Sequence, residues 1–84
     1  MTHALKIWPQ FYQEVEDGNK TFEVRKNDRD FKTGDVLLLQ EWDPVTEKYT
    51  GNECYKVITY ILPAGTNIGI HSDYVVMSIA EKTY

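Results

Sequence analysis

Apolar and polar residues alternate with a period of two in several short runs along this chain, and glycine or proline ends most of them. That pattern specifies strands with one face inward, and only one stretch has helical spacing instead. His3-Ala-Leu-Lys-Ile-Trp8 alternates, with His3, Leu5 and Ile7 on one face. Pro9 then suits a first helical turn, where its missing N–H costs nothing. Phe11 and Val15, four apart, predict a common face, and Gly18 is placed to end the helix in the left-handed conformation, giving a two-turn helix over Pro9–Asp17. Lys20–Lys26 alternates again, with Phe22 and Val24 expected on the buried side and Thr21, Glu23 and Arg25 on a polar side. Val36-Leu-Leu-Leu39 is apolar on both faces and predicts a central strand continuing to Trp42. Asp43-Pro44 breaks it, and the segment to Gly51-Asn52 reads as a long exposed hairpin connection. Tyr55–Leu62 and Tyr74–Ile79 complete the strands, with a loop marked by Pro63, Gly65 and Gly69 and a short turn around Thr66 to Ile70.

Five strands and one early helix in 84 residues are a mostly β (α+β) chain, and favour a small, partly closed barrel over a layered α/β sheet. The length suits one domain, burying a little over roughly 60% of its unfolded surface. No run approaches the eighteen or so apolar residues of a membrane span, and the start has no charged lead before an apolar stretch. A cytoplasmic compartment is the expectation that follows. One cysteine, Cys54, excludes an internal disulfide and a cysteine pair for zinc, and it sits in a strand-like run as a small hydrophobe. His3 and His71 are far apart in sequence, so neither a metal nor another cofactor is expected, and His3 reads as a structural histidine.

Charge is unevenly distributed. The chain is net −4, against non-specific coating of nucleic acid. Yet Lys20, Arg25, Lys26, Arg29 and Lys32 give residues 20–32 a net charge of +2 despite Glu23, Asp28 and Asp30. Such a patch on an acidic body suits a selective anionic ligand better than a long duplex, although composition alone favours a solvated loop of mixed charge. Chemistry is densest at Gly18-Asn-Lys20-Thr21-Phe-Glu23-Val-Arg25. Glu23 and Arg25 are next-but-one neighbours on one strand face, whereas Lys20 joins them only if the chain bends or bulges near Thr21. Either these residues form a surface ion pair worth about 0–1 kcal/mol, or they line a site.

Gly-x-Lys-Thr-x-Glu-x-Arg after a first strand and short helix resembles the signature of ASCH domains, members of the PUA-like superfamily. His3-x-Leu-Lys-Ile, Arg25-Lys-Asn-Asp-Arg29, Gly34-Asp35, Glu41-Trp42-Asp43 and Tyr74-Val-Val-Met-Ser-Ile79 extend the likeness, to a small bacterial and phage branch, over nearly the whole chain. The resemblance implies a five- to six-stranded PUA-like barrel that binds RNA or a nucleotide-like ligand in a cleft lined by Lys20, Glu23 and Arg25. The residue chemistry is compatible: Arg25 offers a forked donor to phosphate or a base edge, Lys20 a point charge, and Glu23 an acceptor for an exocyclic amine. Thr21, Lys26 and Arg29 flank them. Trp42, Tyr49 and Trp8 are the candidate stacking surfaces, Trp42 foremost because it follows a buried strand.

Two other functions compete. Some ASCH-like proteins resemble amidohydrolases that deacetylate N4-acetylcytidine with a lysine, a threonine and a distant glutamate. Lys20 matches that lysine, but Glu23 stands at the threonine's place, and a neighbouring carboxylate opposes the neutral amine such a catalyst needs. The third function is a protein-interaction module using the hairpin from Pro44 to Gly51, with Tyr49 as its contact.

Overall fold

A computed structural model describes residues 1–63 and 69–82, so the turn expected around Thr66 to Ile70 lies mostly outside the described residues. Its elements are β1 (Thr2–Ile7), α1 (Pro9–Glu16), β2 (Phe22–Lys26), β3 (Val36–Asp43), β4 (Lys48–Leu62) and β5 (Tyr74–Glu81). The strands form one curled sheet in the order β1-β3-β4-β5-β2, with β1 parallel to β3 and every other pair antiparallel. The fold is thus mostly β, a half-barrel with one short helix, as the alternation predicts.

The sequential neighbours β1 and β2 occupy opposite edges of the sheet, joined by α1. Curling brings those edges toward each other. No backbone ladder joins them among the described residues; two arginines span the gap instead. Arg25 Nη2 donates to the Lys6 carbonyl and Arg29 Nη1 to the Ala4 carbonyl, each at 2.7 Å. Residues 4 and 6 share a side of the strand, so their carbonyls form one row facing the seam.

The core follows from the inward residues of each element. His3, Leu5 and Ile7 of β1 are all buried, as their shared parity requires. Leu37 and Leu39 of β3, Ile58 of β4 and Val75, Met77 and Ile79 of β5 meet them, and Phe31 packs in from the loop. Helix α1 contributes Tyr12 and Val15. Phe11, predicted to share the buried face with Val15, is 47% exposed. The helix is rotated so that the i, i+3 pair faces β3, leaving Phe11 free to stack on Trp8 with centroids 6.5 Å apart. Gly18 has a φ of +79°, which permits the left-handed turn, and Asn19 and Lys20 N–H groups both reach the Glu14 carbonyl at 3.0 Å.

Two further expectations need correction. Strand β4 begins at Lys48, so the hairpin connection spans only residues 44–47. The register is broken between Gln40 and Trp42, where Glu41 Oε1 accepts from Thr50 Oγ1 at 2.7 Å and Asn52 Nδ2 at 3.1 Å, which holds the irregular stretch in strand form. Strand β2 is inverted. Phe22 and Val24 are 45% and 50% exposed, whereas Glu23 is only 2% exposed. The ladder with β5 sets this register: Glu23 lies opposite Met77, itself fully buried, and takes its side of the sheet. A one-residue slip would turn the apolar pair inward, but would carry Glu23 and Arg25 together to the outer face and break the Arg25 bond to the Lys6 carbonyl.

Among the described residues no helix is long and apolar enough to cross a membrane, and no cluster of His, Cys, Asp and Glu converges as a metal site.

Candidate functional site

The seam between β1 and β2 opens into a cleft of about 340 Å³ lined by Lys6, Ile7, Trp8, Phe11, Lys20, Glu23, Val24 and Arg25. Strand β1 delivers Lys6 and Ile7, its end delivers Trp8, and the first turn of α1 adds Phe11. Strand β2 and the residue chain after Gly18 supply the opposite wall.

Glu23 is the centre of the polar floor. Lys20 Nζ donates to its Oε1 at 2.5 Å, and Arg25 Nε donates to its Oε2 at 2.9 Å. Lys20 reaches this point because it precedes β2 and is released from strand parity by the turn after Gly18. The same ammonium donates to the Phe22 carbonyl at 2.7 Å and lies 5.0 Å from the Phe22 ring centroid. Arg25 spends a second donor on the Lys6 carbonyl. A carboxylate this buried is costly unless paired and hydrogen-bonded, and here both oxygens are engaged by cations. The group is an internal ion triad, not a surface pair.

The other residues nominated from sequence divide. Lys20, Glu23 and Arg25 are brought together. Thr21 is exposed; its carbonyl accepts from the Ile79 N–H at 3.0 Å, and it lines a separate shallow hollow that includes Lys20, Lys56 and Glu81. Lys26 is exposed at the end of β2, outside the cleft lining. Arg29 fastens the loop to Ala4. Trp42, the foremost stacking candidate, is half-buried opposite Tyr49 and does not line the cleft. The exposed aromatic wall is Trp8 with Phe11, whose planes lie within 19° of each other.

Lys6 escaped the sequence reading because it lies outside the polar stretch, on the outward parity of an otherwise apolar strand. Its Nζ sits 4.5 Å from the Trp42 ring centroid and 5.9 Å from that of Tyr49. Trp42 therefore bears on the cleft through Lys6, as a cation–π support.

His3 and Asp35 belong to the frame. His3 Nε2 and Asp35 Oδ2 are 2.8 Å apart, and the imidazole packs edge-on to Phe31 at 4.8 Å. The hydrogen bond from His3 holds the Asp35 carboxyl below its ordinary 3.8; burial opposes this and the Lys32 N–H reinforces it. Gly34, at φ +95°, donates its N–H to the Ile58 carbonyl at 2.8 Å and turns the chain into β3. Cys54 is partly buried against the core, and its thiol is pushed up to about 12, chiefly by burial and then by a hydrogen bond with Glu16.

The chain is 37% identical over 57 residues to an uncharacterised 12.9 kDa protein in the GpA 3′ region of Escherichia phage P2. That alignment covers 68% of this chain and 50% of the phage protein, so this chain matches about half the length of its curated relative. Residues 2–79, from the start of β1 through nearly all of β5, match the family described as Domain of unknown function (DUF3850). With the edge strands, the cleft and the ion triad all inside the matched span, the chain belongs to the DUF3850 family.

Proposed function

We propose that this chain binds RNA or a nucleotide-like ligand in the seam cleft, as a PUA-like domain of the ASCH type. The observation that carries the reading is the pairing of an exposed aromatic wall, Trp8 and Phe11, with a cationic floor in one concavity. Its volume lies near the lower end of ordinary small-molecule sites, about 300–1,000 Å³, which suits a single nucleotide unit. An aromatic face takes any base by stacking, and lysine and arginine supply the charge complement. The overall net charge of −4 favours a short or single-stranded ligand over a long duplex. The Lys20–Arg25 signature and its flanking motifs support the same family of function.

The amidohydrolase alternative draws no such support. Lys20 Nζ meets two acceptors, Glu23 and the Phe22 carbonyl, which is the arrangement of a held donor and not of a nucleophile. Glu23, which stands at the threonine's place in that pattern, has both carboxylate oxygens paired with Lys20 and Arg25.

Titration with short single-stranded RNAs and nucleotides, followed by tryptophan fluorescence, tests the proposal. A saturable change is expected, and Trp8→Ala should weaken binding by roughly 5- to 150-fold, the equivalent of about 1–3 kcal/mol for one stacked base. Absence of any saturable signal up to millimolar ligand, or an unchanged affinity in folded Trp8→Ala, sinks it.

A further inference from the structure

We propose that the cleft selects a phosphate ester, and that Lys6 is the residue that selects it. This rests on the nucleotide reading above and assigns its specificity.

Three cations line the cleft, but two are committed within the protein. Lys20 is held by Glu23 and the Phe22 carbonyl, and Arg25 by Glu23 and the Lys6 carbonyl. Those bonds also occupy both oxygens of Glu23. Glu23 is also 2% exposed and shared between two cations, which leaves it poorly placed to receive an exocyclic base amine. Lys6 differs. Its side chain is exposed, lines the cleft, and has no carboxylate partner among the described residues. The rings of Trp42 and Tyr49 hold its ammonium by their faces. A cation–π contact positions the charge without consuming a hydrogen-bond acceptor, so the N–H donors remain for a ligand.

Lys6 and Trp8 are two residues apart and both line the cleft. An unspent cation thus stands beside an exposed aromatic face, and the lining carries a net charge of +2 from Lys6, Lys20 and Arg25 against Glu23. The matching ligand is a flat ring bearing an anionic ester at short range. A nucleoside 5′-monophosphate and an internal phosphodiester share that chemistry.

Calorimetric titration of the full chain compares uridine and adenosine with their 5′-monophosphates and with the dinucleotides UpU and ApA. At 50 mM salt, at least one phosphorylated form should bind tenfold or more tightly than its nucleoside, and the ratio should shrink at 500 mM because Lys6 is solvent-accessible. Preference for the monophosphate over the dinucleotide marks a terminal phosphate, and equal binding or the reverse marks an internal one. Lys6→Met, and Lys6→Gln as a second variant, should bring the ratio to within about twofold. Both keep the backbone carbonyl that anchors Arg25, and thermal melting confirms their fold. Lys48→Met, at the start of β4 and outside the cleft lining, should keep the full ratio. Equal binding of nucleoside and phosphorylated forms by the wild type, or an undiminished ratio in both folded Lys6 variants, overturns the phosphate assignment while leaving a nucleoside site standing. Failure of every nucleoside, nucleotide and short RNA to bind overturns both proposals.

Discussion

Arg25→Ala removes two hydrogen bonds at once, the one from Nε to Glu23 and the one from Nη2 to the Lys6 carbonyl. Glu23 is 2% exposed, so its carboxylate cannot recover the lost partner from water. Breaking a buried ion pair by deleting one member typically costs about 3–5 kcal/mol. Lys20 still holds Oε1, and the Arg25 side chain is itself 24% exposed, which places the loss at the Glu23 end near 2 kcal/mol. The uncapped Lys6 carbonyl adds about 1 kcal/mol. A total of about 3 kcal/mol leaves a domain of ordinary stability folded. With a urea m-value of about 1 kcal/mol/M for a chain this small, the unfolding midpoint should fall by roughly 3 M. The diagnostic step is to add Glu23→Gln to the Arg25→Ala chain. If the penalty is an uncompensated buried charge, neutralising that charge should restore about 1–2 kcal/mol, although two native groups are now gone. A midpoint for Arg25→Ala within 0.5 M of wild type, as a rough limit, or a double variant no more stable than the single one, would refute the description of Glu23 as a buried, cation-dependent carboxylate.

Asp35→Asn should destabilise the chain at neutral pH and not in strong acid. Because the folded value of Asp35 is depressed, its contribution is present above about 3.8 and is lost as pH falls through the folded value. Melting curves of the two proteins should therefore converge at the acid end, and a constant difference at every pH would rule this out. Cys54 should resist iodoacetamide at pH 8, reacting at least about a hundredfold more slowly than an exposed thiol, since a value near 12 leaves almost no thiolate. Mass spectrometry follows the adduct, and labelling at the rate of a free cysteine would contradict the burial of that side chain.

The parts of this fold legible in the sequence are those where local preference and tertiary demand coincide. His3, Leu5 and Ile7 share a parity and a core, Pro9 opens the helix, Gly18 closes it, and Asp43-Pro44 ends β3. The errors fall where tertiary demand wins. Hydrophobicity would bury Phe22 and Val24, but the β5 register and two reaching cations bury Glu23. Phe11 and Tyr12 are adjacent aromatics, and helix spacing to Val15 admits either; packing against β3 selected Tyr12. In the site, the Lys20, Glu23 and Arg25 cluster was readable because its members are close in sequence. Lys6 was not, and Trp8, named as one of three stacking surfaces, could not be set beside that cluster from sequence, because only the curl of the sheet carries β1 to the far side of β2. Arg29, placed in the basic patch from sequence, also donates to a carbonyl 25 residues away, a contact that only the folded sheet creates.

The arginine-bridged seam bears on strand addition at the open edge of the sheet. A sheet that stops short of closure exposes two strand margins, each a template on which an extended segment of another molecule can add. Here the Ala4 and Lys6 carbonyls, the acceptors such a segment would use on β1, are already occupied by guanidinium groups. The two arginines thus cover acceptors along the β1 edge without the backbone ladder that would have sealed the cleft.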